Sequence, residues 1–138
     1  MMGFEPGPER DELIAMLDAY FAGDLGPDHH WVVDEGGADG VIGAAYFAPE
    51  VMTQGTWNLY FLAVDEAVQG QGRGAALVRH VEDVLRARGE RVLLIETSGL
   101  GSFERTRAFY RKQGYDEEAR IREFYGAGDD KIIFRKAL

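Results

Sequence analysis

The segment AVDEAVQGQGRGAAL, residues 63–77, constrains the fold more than any other part of the chain. A β-branched and aromatic run, TWNLYFLAV, leads into it from about Thr56 to Val64 and predicts a strand. Beyond it, Leu77, Val78, Val81, Val84 and Leu85 recur at helical spacing, and Gly89 is a natural stop. Between strand and helix, glycine occupies every second position: Gly70, Gly72 and Gly74. Glycine removes side chains where a backbone must bend or let something come close. Strand end, glycine turn and helix start therefore meet at one point.

Three ligand readings compete for that point. A dinucleotide fingerprint would use Gly70, Gly72 and Ala75, with Glu90 or Glu96 downstream. Two features oppose it: residues 65–69 separate Val64 from Gly70 where such a turn is tight, and the upstream strands look hairpin-connected. A Walker phosphate loop needs Lys followed by Ser or Thr, and Ala75 and Ala76 stand there instead. The third reading is a pyrophosphate cradle without a lysine. Gln71, Gly72, Arg73, Gly74 and Ala75 would turn backbone N–H groups toward one spot, reinforced by the positive end of the helix. A glycine-rich turn that merely starts a helix needs one or two glycines, not three in alternation.

The remaining pattern is helix, three strands, helix, strand, helix, two strands. DELIAMLDAYF puts Leu13, Ile14, Leu17, Tyr20 and Phe21 on one helical face. HHWVVDE and GVIGAAYF read as strands joined through GGAD, with His29 and His30 as loop residues lacking metal-ligand spacing. RVLLIET is a buried strand, SFERTRAFYRKQG a short helix, and YDEEARIREFY and DKIIFRKAL a closing strand pair turned by GAGDD. This is a mixed α/β (α+β) domain with a mostly antiparallel sheet, and 138 residues suit one domain, taken as 1–138. No apolar run reaches the ~20 residues that cross a bilayer, and MMGFEPGPERDEL lacks the plan of a signal peptide. A cytoplasmic protein with no membrane partner is expected. With no cysteine, disulfides, thiolate metal sites and a cysteine nucleophile are excluded, and no metal is expected. A net charge of −9 opposes nucleic-acid binding and would suit a cationic partner such as a protonated amine.

AVDEAVQGQGRGAAL resembles the coenzyme-A-binding signature of the GNAT N-acetyltransferase superfamily, Gln/Arg-x-x-Gly-x-Gly/Ala after an apolar strand, with Gln69, Gly72 and Gly74 filling its positions. TRAFYRKQGYDEEARI is similar to the family's later F-Y-x-x-x-G-F/Y segment through Phe109, Tyr110, Gly114 and Tyr115. The two together cover about residues 30 to 138, and the element order matches the family fold. The resemblance implies acetyl-CoA as cosubstrate, with Gln69 to Ala75 holding its pyrophosphate. It also implies a strand splayed from its neighbour, where the backbone of Leu62, Ala63 and Val64 pairs with the pantetheine arm. Tyr110 is then the acid that protonates the leaving thiolate, since a phenol with a reference pKa of ~10 can donate to it.

The general base is harder to transfer. Many relatives carry a glutamate where this chain has Asn58, and an amide cannot serve as base. The nearest substitute is Glu96 in the otherwise apolar LLIET; an anion is costly to bury there, which favours a proton-accepting role, although a solvated strand-end residue fits equally. Alternation puts Asn58 and Tyr60 on one strand face, where they could hold a relay water. Arg105, Arg107, Arg111 and Lys112 are dense in the last helix and, with Arg73, could mark the coenzyme's phosphates or only a solvated face. Tyr125, Asp129 and Asp130 at the last hairpin could meet the acceptor, though Gly-Asp-Asp is also ordinary turn chemistry.

Only one helix precedes HHWVV, so the acceptor groove is expected to be open or completed by a second subunit as a homodimer. The expected activity is acetyl transfer from acetyl-CoA to a primary amine by direct attack in a ternary complex, no cysteine being available as carrier. A small amine or amino acid is the favoured acceptor and a protein amine the second. The competing expectation is a non-catalytic acyl-CoA-binding regulatory module.

Overall fold

The computed structural model describes residues 29–35 and 40–138; the helix expected over DELIAMLDAYF and the GGAD connection lie outside the described residues. Among the described residues six strands form one sheet: β1 His30–Asp34, β2 Gly43–Pro49, β3 Thr56–Val64, β4 Val92–Ser98, β5 Asp116–Gly126 and β6 Asp129–Ala137, in the order β1-β2-β3-β4-β6-β5. Helix α1, Arg73–Ala87, connects β3 to β4, and helix α2, Glu104–Lys112, connects β4 to β5. Only β3 and β4 pair in parallel, as expected for strands joined by a helical crossover; every other pair is antiparallel. The mixed α/β architecture read from the sequence is the observed one. His30, expected in a loop, opens β1 instead, because its ring stacks 5.4 Å from Phe47 and lies 5.3 Å from Trp57.

Strand β3 does not keep one alternation along its length. Tyr46 pairs with Phe61 and Phe47 with Leu59, so Tyr60 is an extra residue bulged out of the β2–β3 ladder. The bulge inverts the side-chain pattern. Trp57 and Leu59 before it, and Leu62 and Val64 after it, all enter the same core, although they differ in parity. That core lies between the sheet and α1, whose Leu77, Val78, Val81 and Leu85 meet Leu93, Ile95, Ile132 and Phe134. Each fully buried aliphatic side chain of this kind stabilises the fold by about 1.5–3 kcal/mol relative to exposure. On the other face, Trp31, Ala44 and Ala63 form a smaller cluster.

One member of the buried stripe of α1 is charged. Glu82 is 3% exposed and accepts a hydrogen bond from the Tyr115 hydroxyl at 2.7 Å and from Lys136 Nζ at 3.0 Å. Lys136 also donates to the Gln113 carbonyl at 2.9 Å, which ties the end of α2 to α1 and β6. The same corner fixes Tyr110, whose ring lies 6.3 Å from Tyr115 and 5.8 Å from Phe134. A buried carboxylate is tolerated only when paired and hydrogen-bonded in this way.

Burial first, and the Glu82 carboxylate second, push the Tyr115 phenol well above its usual 10.0. Above pH 10 the unfolded chain therefore releases this proton while the folded chain keeps it, so stability falls as pH rises. Tyr115→Phe is expected to lose about 1–3 kcal/mol at pH 7 in urea unfolding, the cost of a hydrogen bond to a charged group. Its stability should then decline less steeply than the wild type's above pH 10.

Candidate active site

Strands β3 and β4 part company halfway along. Their parallel register runs from Thr56↔Val92 to Leu59↔Ile95 and stops, while β3 stays paired with β2 as far as Gly43↔Val64. The Asp65 N–H donates to the Ile42 carbonyl at 2.7 Å, toward β2. Backbone groups alternate sides along a strand, so Ala63 also faces β2, whereas Leu62 and Val64 face the gap left by β4. Of the three residues expected to present backbone to a ligand, the geometry therefore offers two. Ala63 is spent within the sheet.

The glycine turn lies at the mouth of this gap. Gly70 and Gly72 have φ of +82° and +78°, a left-handed conformation that costs other residues about 1 kcal/mol or more. A Cβ at either would meet nothing within 4 Å, so backbone conformation, not crowding, demands glycine there. Gly72 caps α1 without a side-chain hydrogen bond, and no acidic residue lies in the first turn. Ala76 N–H reaches the Gly72 carbonyl at 3.0 Å, so the N–H groups of Arg73, Gly74 and Ala75 have no carbonyl one turn back within the helix. They open onto a cavity of about 410 Å³ that Gly70, Arg73, Ala75, Arg79, Phe109 and Lys112 help to line. Gln69, Gly72, Gly74 and Val64 border it too, while Gln71 is exposed and does not. Gln69 has a structural task as well: its Nε2 donates to the Val64 carbonyl at 2.9 Å and staples turn to strand.

Three cations surround the cavity. Arg73 is paired with Asp34 at 3.3 Å, whereas Arg79 and Lys112 have no ion pair among the described residues. Sequence reasoning missed Arg79, although it stands one helical turn beyond Ala75 on the same face. It also grouped the basic residues of α2 too broadly. Arg107 is buried and donates to the Ser98 and Leu100 carbonyls and to Glu104, and Arg111 pairs with Glu104 at 3.2 Å. Those two arginines anchor the helix, and Lys112 alone of the group reaches the cavity.

Further along the gap is a narrow opening of about 50 Å³, where Tyr60, Leu62, Glu96, Thr106 and Tyr110 come together. Tyr110 is 5% exposed, and burial raises its phenol well above 10.0, so it holds its proton throughout the neutral range. Glu96 is not the lone carboxylate of an apolar strand that its sequence context suggested. Lys131 Nζ lies 3.1 Å from its Oε2, and Asn58 Nδ2 donates to its Oε1 at 3.2 Å. The pairing arises because β6 runs antiparallel to β4 and places Lys131 opposite Ser98, on the same face.

Asn58 is fully buried and donates to a second carboxylate, Glu50 Oε1, at 2.9 Å; its own Oδ1 has no partner among the described residues. The Tyr60 hydroxyl also donates to Glu50 Oε1, at 3.0 Å. Asn58 and Tyr60 do share a face, joined by one carboxylate, Glu50, that the sequence did not single out. Burial, then the hydrogen bond and charge of Glu50, push the Tyr60 phenol up to about 12. Tyr125 approaches the same face, its phenol raised by burial and then by Glu96 and Asp129. Both aspartates of the hairpin have partners within the protein. Asp129 accepts from Ser98, and Asp130 accepts from the Glu123 N–H at 2.8 Å and pairs with Arg120. Among the described residues no cluster of His, Cys, Asp and Glu could hold a metal ion, and no helix is long and apolar enough to cross a membrane.

Residues 26–117 match the family model described as an acetyltransferase (GNAT) domain, more than half of the chain. The chain is 38% identical over 89 residues to mycothiol acetyltransferase of Beutenbergia cavernae; the match covers 64% of this chain but only 29% of that longer protein. Among solved structures, a GNAT-family protein of Desulfovibrio desulfuricans superposes with a TM-score of 0.85 at 36% identity, over 97% of this chain and 83% of that one. An aminoglycoside 6'-N-acetyltransferase in complex with coenzyme A gives a TM-score of 0.72 at 18% identity, over 98% and 94% of the two chains. The ribosomal-protein-S18-alanine N-acetyltransferase of Escherichia coli gives 0.70 at 24%, over 87% and 76%. The last two likenesses speak for the fold alone. Glycine turn, splayed strand and family match agree, and the chain belongs to the GNAT acetyltransferase family.

Proposed function

We propose that this chain is a single GNAT domain that transfers the acetyl group of acetyl-CoA to a primary amine, by direct attack with both substrates bound. The observation that carries the reading is the continuity of the β3 edge. One end meets an uncapped helix N-terminus ringed by Arg73, Arg79 and Lys112, and the other end meets Tyr110 in a narrow opening. A long ligand with a pyrophosphate at one end and a thioester at the other fits that run. Its pyrophosphate would take the free N–H groups of Arg73, Gly74 and Ala75, where the helix dipole favours an anion. Its pantetheine arm would pair with the backbone of Leu62 and Val64.

The coenzyme supplies the acetyl thioester; the protein supplies position and proton control. The Leu62 N–H faces the gap beside Tyr110 and would donate to the thioester oxygen, where negative charge develops. Tyr110, protonated because it is buried, would give its proton to the departing thiolate. The acceptor would approach from the face bearing Tyr60, Tyr125, Asn58 and Glu96. A cationic amine suits the carboxylates Glu50 and Glu96 there. Fold neighbours whose names specify an aminoglycoside and a protein alanine as acceptors support an amine of either size; the narrowness of the opening favours a small amine or amino acid.

Asn58, an amide where the family resemblance would put a carboxylate base, favours one other reading: a module that binds acyl-CoA without catalysis. Thiol release from acetyl-CoA, followed across a panel of amines, separates the two. Amine-dependent release is the expected result, and tight coenzyme binding without it would establish the module. Tyr110→Phe should lower turnover about 10²-fold or more while leaving acetyl-CoA affinity unchanged. Full turnover in that variant would remove Tyr110 from the mechanism.

For the cradle, a double Arg79→Ala/Lys112→Ala variant should bind coenzyme A at least ~10-fold more weakly by calorimetry, given the strength of charge-assisted contacts to phosphate. The wild-type affinity should fall more steeply with salt than the variant's.

A further inference from the structure

The acceptor must shed a proton, and the carboxylate nearest the opening is poorly placed to take it. Both oxygens of Glu96 are held by donors: Lys131 Nζ at 3.1 Å from Oε2, and Asn58 Nδ2 at 3.2 Å from Oε1. Its oxygens are thus already engaged within the protein, and the Lys131 ammonium stands beside it as a competing cation. Glu50 differs. Its two donors are neutral, the Asn58 amide at 2.9 Å and the Tyr60 hydroxyl at 3.0 Å, and both use Oε1. Among the described residues it has no ion pair. Glu50 itself does not border the narrow opening, but Tyr60 does, alongside Leu62 and Tyr110. The bulge explains how: as the extra residue of β3, Tyr60 stays on the face of Asn58 while Leu62 turns into the core.

We propose that Tyr60 and Glu50 form the proton exit for the acceptor amine. The inference rests on the transferase reading above. Tyr60 Oη takes a proton from the acceptor's ammonium nitrogen and passes its own hydroxyl proton to Glu50 Oε1, so the phenol ends neutral and Glu50 ends protonated. The freed nitrogen lone pair then forms the N–C bond to the acetyl carbon. The C–S bond breaks, the thiolate takes the proton of Tyr110, and the excess proton left on the amide nitrogen returns to the Tyr110 phenolate, so that Tyr110 ends neutral and the one net proton sits on Glu50. Glu50 gives its proton to solvent between turnovers, being only partly buried. Tyr60 is the catalytic residue of the pair. Glu50 works through it, in the setting of Asn58, Tyr46, Glu96 and Lys131, with the Tyr46 ring 5.8 Å from that of Tyr60. Asn58 then becomes intelligible as a bridge: its amide holds Glu50 while its other hydrogen bond holds Glu96 in place.

The test uses the full chain, an amine that it acetylates, and the variants Glu50→Gln, Tyr60→Phe, Glu96→Gln and the Glu50→Gln/Tyr60→Phe double. Glu50→Gln and Tyr60→Phe should each lower kcat/KM for the amine about 10²-fold, the usual reach of a proton-transfer group, and the double should lose little more than either. Glu50→Gln should also move the acid limb of the pH–rate profile up to the acceptor's own ionisation, since only amine already deprotonated in solution then reacts, and Glu96→Gln should leave it in place. Glu50→Asp should restore part of the rate. A second readout needs no coenzyme and no turnover: in ultraviolet titration of the free protein, Glu50→Gln should lower one tyrosine's ionisation from about 12 toward 10, a change that Tyr60→Phe abolishes. An unchanged pH–rate profile in Glu50→Gln, or an unchanged tyrosine titration, would overturn the relay while leaving the transferase reading intact. Failure of the wild type to release thiol with any amine would overturn the transferase reading, and the relay with it.

Discussion

The parting of β3 from β4 after Leu59↔Ile95 is the feature on which the rest of the structure depends. An unpaired strand edge inside a sheet leaves backbone donors and acceptors without partners, and it persists only if something else holds the strand. Here β2 does so, continuing its ladder to Val64 and beyond, where Asp65 N–H meets the Ile42 carbonyl. Leu62 and Val64 add a second restraint, because their side chains are locked into the core under α1. The edge facing the gap is therefore rigid before any ligand arrives, and a preformed edge spares a ligand the entropy of ordering it. The bulge at Tyr60 falls at the same place. It lets one strand point Trp57, Leu59, Leu62 and Val64 into a single core and still present Asn58 and Tyr60 to the opposite face.

Charge is sorted along that edge in a chain whose net charge is −9. Arg73, Arg79 and Lys112 gather with the open end of α1 around the larger cavity. Glu50 and Glu96 stand on the other side of the sheet, cross-linked by the buried amide of Asn58 and restrained by Lys131. An anionic ligand and a cationic one would thus be drawn to opposite ends of one gap, with Tyr110 near the meeting point. Burial holds that phenol in its neutral form, the form a proton donor needs. The corner behind it is stiffened by the Tyr115–Glu82–Lys136 network, so the donor's position depends on an ion pair packed behind α2.

Local pattern made most of the fold legible. The strand and helix segments, their order and the turn glycines followed from periodicity and from the residues that interrupt it. What escaped were features set by pairs distant in sequence. Nothing in TWNLYFLAV marks Tyr60 as the bulged residue, because the bulge belongs to the register with β2. Glu50 carries no local signal of its own, and only the β2–β3 hairpin brings it to Asn58 and Tyr60. Lys131 reaches Glu96 across 35 residues, so the carboxylate that seemed alone in LLIET proved to be paired. The α2 arginines were read as one electrostatic group, whereas two of them anchor the helix. Glu82 was invisible for the opposite reason: a polar residue beside a helical apolar stripe usually faces water.

Amide-resolved hydrogen exchange, with and without saturating coenzyme A, tests most directly whether a ligand enters between the strands. The N–H groups of Leu62 and Val64, and those of Arg73, Gly74 and Ala75, should slow markedly on binding, while Ala63, already facing β2, should change little. Saturated binding with no added protection at Leu62 and Val64 would mean that the coenzyme lies elsewhere and that the parted strands are not its site.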